Sequence, residues 1–174
     1  MRASICTFTG VEFFPLMPRV EDIRIADIAH ALSCMPRFAG HTRSFYSVAQ
    51  HCVLVSRLVP KHWALYGLLH DSAEAYLMDL PTPIKRLFPA YERAEQRLLG
   101  VIGQCFGLPE LWQNAAPIKQ ADALALRIEQ YHLMPEVSWW TREPIPAEHA
   151  RMFEPLRPDH AEDAFLAAFE DLTS

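Results

Sequence analysis

The chain has 174 residues, 51% of them hydrophobic, which predicts a single domain over 1–174 with a substantial core. Its 16 Lys and Arg against 21 Asp and Glu give a net charge of −5, which argues against a broad nucleic-acid-binding face but leaves room for a small anionic ligand. No apolar run approaches the roughly 20 residues of a membrane span, and the first residues carry no leader-like pattern, so neither a membrane nor a secreted setting is expected.

The opening Ser4–Phe14 has β-branched and aromatic residues around Thr9-Gly10, which predicts a short N-terminal β-hairpin. From Glu21 the period becomes helical, with Ile25, Ile28, Ala29 and Leu32 in phase and Pro36 as the stop. Arg37 to Tyr46 reads as a loop. Ser47-Val-Ala-Gln50 has the form of a capping box and opens a helix to about Leu58. Another helix starts at Pro60-Lys61, buries Trp63, Leu65, Leu68 and Leu69, and ends at Asp79-Leu-Pro-Thr-Pro83. Ala90 to Phe106 and Pro117 to about His132 are the next two helices. Met134 to Arg151, rich in Pro and Trp, reads as irregular, and Ala161 to Leu172 as a last helix. The expected fold is all-α, a compact antiparallel helical bundle with short links. The cysteines Cys6, Cys34, Cys52 and Cys105 form no CxxC pair, which fits free thiols in a reducing cytoplasm.

His51, the pair His70-Asp71, and Asp122 fall on three of these helices, each among apolar neighbours. Such groups are costly to bury without a partner, and a divalent cation is one solution. Glu74 follows His70 by one helical turn and can serve as general base, while Asp79 at the helix end can orient the site, bind a second cation or protonate a leaving group. On spacing alone a solvated face or a helix cap accounts for these acids equally well. Adjacent residues on an α-helix also point about 100° apart, so His70 and Asp71 can share one ion only from a helix shoulder.

The ordered set His51, His70-Asp71, Asp122 resembles the signature of HD-domain metal phosphohydrolases. The string from His70 through Glu74, Asp79 and Thr82 to Lys85 is similar to the YfbR-like deoxyribonucleoside 5′-monophosphate phosphatases of that superfamily. Ser47-Val-Ala-Gln-His51 and Ile118-Lys-Gln-Ala-Asp122 match further segments of that group. The chain also resembles the short phage HD hydrolases that release triphosphate from dATP. The likeness runs from about Pro36 to Glu129. It implies an HD-type bundle, metal ligation by His51, His70, Asp71 and Asp122, and catalytic roles for Glu74 and Asp79. It also implies substrate contacts from Arg37 and Phe38, the latter where the nucleotidases have Trp, and a place for Thr82 beside the sugar. Lys119, three residues before Asp122, is a further candidate for phosphate, though a surface lysine fits as well.

The expected function is therefore hydrolysis of the 5′ phosphate ester of (deoxy)nucleotides, either as a monophosphatase or as a dNTP triphosphohydrolase. The expected cofactor is a divalent ion among Co, Mn, Zn, Fe, Ni and Mg, with room for a second. A nucleotide-binding HD module without turnover is the alternative. A two-iron oxygenase is disfavoured because no histidine lies between His70 and His132. The substrate is a small nucleotide rather than a nucleic acid. Trp139-Trp140 in the Pro-rich stretch reads as a lid or an oligomer-facing patch, and with Trp112 it favours a homo-oligomer.

Overall fold

The computed structural model describes residues 3–109, 112–139, 143–149 and 153–174. It is a helical bundle with a small hairpin on one side, as expected. The hairpin pairs β1 (Ile5–Cys6) with β2 (Glu12–Phe13) in antiparallel register, and Gly10 turns it at φ +84°. Thr9 ties the hairpin to the bundle, donating from N and Oγ1 to the Asp27 carboxylate at 2.6 and 3.0 Å.

The first helix, α1 (Ile25–Cys34), begins later than Glu21 because Val20–Asp22 forms a separate tight turn. The second, α2 (Val48–Leu58), is the axis of the molecule and packs against α1, α3 (Ala64–Leu69), α7 (Ala116–Leu133) and α8 (Pro158–Thr173). Ile28, Leu32, Val48, Cys52, Leu68, Leu69, Leu98, Ile102 and Phe165 fill the core, each aliphatic or aromatic side chain contributing about 1.5–3 kcal/mol by leaving water. Ser47 caps α2 by accepting from Gln50 N at 3.1 Å. The Gln50 side chain does not close the capping box. Its amide instead bonds Glu154 O at 2.7 Å and accepts from Leu156 N at 2.8 Å, clamping the segment that leads into α8.

The predicted helix from Pro60 to Asp79 is broken. It consists of a 3-10 turn (Lys61–Trp63), α3, a tight turn through His70–Ala73, and the short α4 (Glu74–Leu77). In that turn Ser72 N bonds Leu69 O at 3.0 Å and Glu74 N bonds Asp71 O at 2.9 Å, the i to i+3 pattern that overwinds the backbone. Thr82–Lys85 then forms α5, and α6 (Pro89–Cys105) follows. Trp112, expected near an oligomer face, is 3% exposed and packs into the core against Gly103, so it supplies no surface patch. Trp139 is 83% exposed, and its neighbour Trp140 lies outside the described residues. No helix among the described residues is long and apolar enough to cross a membrane.

Candidate metal centre and nucleotide pocket

The HD pair sits beyond the last α-helical residue of α3, where the overwound turn aims both side chains to one side. His70 Nε2 lies 3.2 Å from Asp71 Oδ2, so the two side chains face one point. α2 brings His51 to the same point. His51 Nε2 is 3.2 Å from His70 Nε2, 3.5 Å from Asp71 Oδ2 and 3.2 Å from Asp122 Oδ1. Asp122, on α7, closes the group 4.0 Å from His70 Nε2 and is 47% exposed, so it faces the opening. The ligand atoms of His51, His70 and Asp71 lie within 4.8 Å of one another.

The hydrogen bonds on the far side of each ring define what these nitrogens offer. His70 Nδ1 is 2.8 Å from Gly67 O, a carbonyl that only accepts, so Nδ1 carries the hydrogen. His51 Nδ1 is 2.6 Å from Glu129 Oε1, again an acceptor. With Nδ1 carrying the hydrogen, Nε2 is the atom each ring can offer as a ligand when neutral, and the two Nε2 atoms face each other at 3.2 Å with carboxylates beside them. Lone pairs converge in this way on a cation. The donor set, two imidazoles and two carboxylates, suits a divalent first-row ion. Burial pushes both imidazole pKa values down, and Arg37 lowers His51 further. Glu129 and Asp122 outweigh this at His51 and Asp71 outweighs it at His70, so both are raised. Burial raises the Asp71 carboxyl, but His70, His51 and Arg37 together hold it well below the usual range.

Glu74 starts α4 directly after the turn and is buried, with Oε2 lacking a hydrogen-bond partner among the described residues. Burial, then Asp71 and Asp79, push its pKa well above the ordinary carboxylate value. Phe13 supports this corner from below by stacking on Tyr76 of α4 at 4.1 Å. Asp79 is held by its backbone N on Met35 Sδ at 3.2 Å, and its pKa is raised first by burial and then by Asp71.

Arg37 reaches the site because the ends of its loop are stitched together, Arg37 N to Tyr46 O at 2.9 Å and Val48 N to Met35 O at 3.0 Å. Arg37, Phe38, Asp79 and Thr82 line one pocket of about 200 Å³ with Ala39, Leu80, Pro81 and Leu126. Residues scattered over the predicted loop and the Pro-rich stop thus share one cavity. Backbone strain lies in and next to its lining, with φ +53° at Phe38, +50° at Ala39 and +75° at Met78, the residue before Asp79. Lys119 is exposed on α7 and is not brought into this group, and His41 and Arg43 are likewise exposed.

The sequence reading missed Glu129. It lies on α7, is 0% exposed, and takes Arg37 Nε and Nη2 on Oε2 at 3.1 and 2.9 Å while Oε1 faces His51. The available signal was its spacing: Glu129 falls two helical turns after Asp122, beside the apolar stripe of Ala121, Ala125 and Ile128.

No protein-family profile matches the chain. It is 44% identical over 171 residues to uncharacterized protein YfdR of Escherichia coli, covering 97% of this chain and 95% of that protein. It is 31% identical over 113 residues to a 5′-deoxynucleotidase of Vibrio atlanticus, covering 55% of this chain and 50% of the relative. It is also 30% identical over 153 residues to 5′-deoxynucleotidase PBPRA2627 of Photobacterium profundum, covering 70% of this chain and 68% of the relative. With that much of both chains in common, the protein belongs to the same family as YfdR and the Photobacterium 5′-deoxynucleotidase.

Proposed function

We propose that this chain is a metal-dependent phosphohydrolase of the HD type that removes the 5′ phosphate from (deoxy)nucleoside monophosphates. The observation that carries the reading is the pair of imidazole Nε2 atoms 3.2 Å apart, flanked by Asp71 and Asp122, with Arg37 reaching from Asp71 to a pocket of about 200 Å³ that it lines. His51, His70, Asp71 and Asp122 would hold the ion. When bound, a divalent ion supplies Lewis-acid polarisation of water and phosphate and offsets the charge that develops on phosphorus.

The side chains around it divide the remaining work. Burial and the charges of Asp71 and Asp79 hold the Glu74 carboxyl toward its neutral form; with those two charges offset by a divalent cation, Glu74 Oε2, which has no partner among the described residues, would ionise and accept the proton of the attacking water. Asp79, with its raised pKa, donates a proton to the departing 5′ oxygen. Arg37 has two of its nitrogens on Glu129, and its Nη1 lies 3.8 Å from Asp71 Oδ2, facing the place a phosphoryl oxygen would occupy. Phe38, Pro81 and Leu126 wall the pocket for the sugar and base, with Thr82 at the rim.

Charge favours a monophosphate over a triphosphate. Among the described residues that line the pocket, Arg37 is the cation, and Glu129 already neutralises it. The nearby Lys85 is bonded to Glu95 at 2.5 Å. A triphosphate would bring more negative charge to a corner that already holds Asp71, Glu74, Asp79 and Asp122.

The test is to incubate protein supplied with Mn, Co, Zn or Mg with each deoxynucleoside mono- and triphosphate and separate the products, running Asp71→Ala and Glu74→Ala alongside. Nucleoside and orthophosphate from monophosphates are expected. Release of intact triphosphate would instead make it a dNTP triphosphohydrolase. No turnover with any of these metals would overturn the reading in favour of a nucleotide-binding module.

A further inference from the structure

We infer that Glu129 is a positioning residue that sets the metal-binding nitrogen of His51 and the phosphate-facing edge of Arg37 through its two carboxylate oxygens. The inference rests on the metal-site reading above. Glu129 is neither one of the groups facing the ion site nor part of the pocket lining, and it is assigned by its contacts alone.

Its oxygens have separate tasks. Oε1 lies 2.6 Å from His51 Nδ1, which fixes the hydrogen on that nitrogen and leaves Nε2 as the ligand atom. A carboxylate on the outer nitrogen of a ligating histidine also raises the basicity of the inner one. Oε2 takes the Nε and Nη2 edge of Arg37 at 3.1 and 2.9 Å. A guanidinium is planar, so anchoring that edge dictates where the remaining nitrogen points. Nη1 is thereby turned toward Asp71, 3.8 Å from its Oδ2. Ring and guanidinium come from residues 78 and 92 positions away along the chain, and one fully buried side chain ties both together.

A structural role alone would be met by any arrangement that neutralised a buried arginine. It would not require the second oxygen to sit on the outer nitrogen of the histidine whose inner nitrogen faces His70, Asp71 and Asp122. The loop carrying Arg37 is also pinned to the end of the same helix, with Arg43 N on Leu133 O at 2.9 Å, so Arg37 and Glu129 are held in one frame.

The test is Glu129→Gln, which keeps the shape but cannot accept at both ends. Its affinity for Co(II) alone is measured by competition with a chromogenic chelator, and the visible spectrum of the Co(II) protein is recorded. The expected result is a loss of Co(II) affinity of about 10- to 100-fold with a shifted spectrum. KM for a nucleoside monophosphate should also rise, and that rise should vanish when Arg37→Gln is already present. Wild-type Co(II) affinity and spectrum in Glu129→Gln would overturn the inference. Weakened Co(II) binding in the variant of a protein that hydrolyses no nucleotide would sustain it while sinking the substrate reading. If Glu129→Gln does not fold, the Zn(II)-loaded wild type decides by long-range ¹H–¹⁵N NMR of its histidines. A protonated Nδ1 on His51, with its proton far downfield, supports the inference, and protonation at Nε2 overturns it.

Discussion

The two halves of the candidate site are built differently. The metal-facing half, His51 and His70 on α2 and at the end of α3, is anchored in the core, on helices that bury Val48, Cys52, Leu68 and Leu69. The substrate-facing half, residues 37–40 and 78–88, is made of short turns with Phe38, Ala39 and Met78 at positive φ and with Ile84, Leu87 and Phe88 exposed. An ion needs ligand atoms held within tenths of an ångström, and only packed helices provide that. A nucleotide must enter and leave, and turns carry the strained conformations that point side chains into a pocket. Tyr91 holds the 78–88 stretch to α6, donating from its hydroxyl to Met78 O.

The largest effect should come where the halves meet. Glu74→Gln replaces a buried carboxyl with an amide of the same shape that cannot take up a proton from water. Steady-state kinetics should show kcat reduced by about 10²- to 10⁴-fold, with thermal stability preserved. A small change in kcat would move the general base elsewhere.

The rigid half is tested at Gly67. A Cβ there would lie 3.1 Å from Ser56 Cα and 3.2 Å from Val59 Cγ2, so α3 could not approach α2 as closely. Gly67→Ala should cost about 1–3 kcal/mol by urea denaturation and should weaken Co(II) binding, because the same residue's carbonyl holds His70. Loss of stability with unchanged metal affinity would show the two helices are less tightly coupled to the site than their contacts imply.

The strained half responds in the opposite direction. Ala39→Gly relieves a left-handed residue, and the melting midpoint should reflect a gain of up to about 1 kcal/mol, the relief of strain set against a more flexible unfolded chain. A clear destabilisation would remove the contrast between the halves at this position.

The smallest effect is chemical. Cys6 and Cys34 are exposed and Cys52 is buried beside His51, so a thiol reagent should modify the first two rapidly in native protein and Cys52 only after unfolding. Rapid native labelling of Cys52, read by mass spectrometry of peptides, would show that the core around the metal half opens readily.

Much of this was legible in the sequence for identifiable reasons. His70-Asp71 stood out because polar residues interrupt an apolar run, and Ser47 because a helix start needs an acceptor for its free N–H groups. The break between α3 and α4 was not legible. Its residues keep helix-like torsions, φ −61° at His70 and −65° at Ala73, so periodicity runs through it unchanged while the hydrogen bonds shorten by one residue. The left-handed Phe38 and Ala39 were invisible because neither residue type favours that region.

By itself, the sequence determined the long helices α1, α2, α6, α7 and α8 and which residues have donor atoms fit for a metal, since those follow from local spacing and side-chain chemistry. The tertiary structure alone decided what those atoms meet. Trp112 went into the core rather than to a surface, Gln50 left its own helix cap to clamp Glu154 and Leu156, and Glu129 became the partner of Arg37 and His51. Each outcome depends on packing between elements far apart in the chain. A charge such as Glu129 is tolerated at full burial only where those distant partners arrive together.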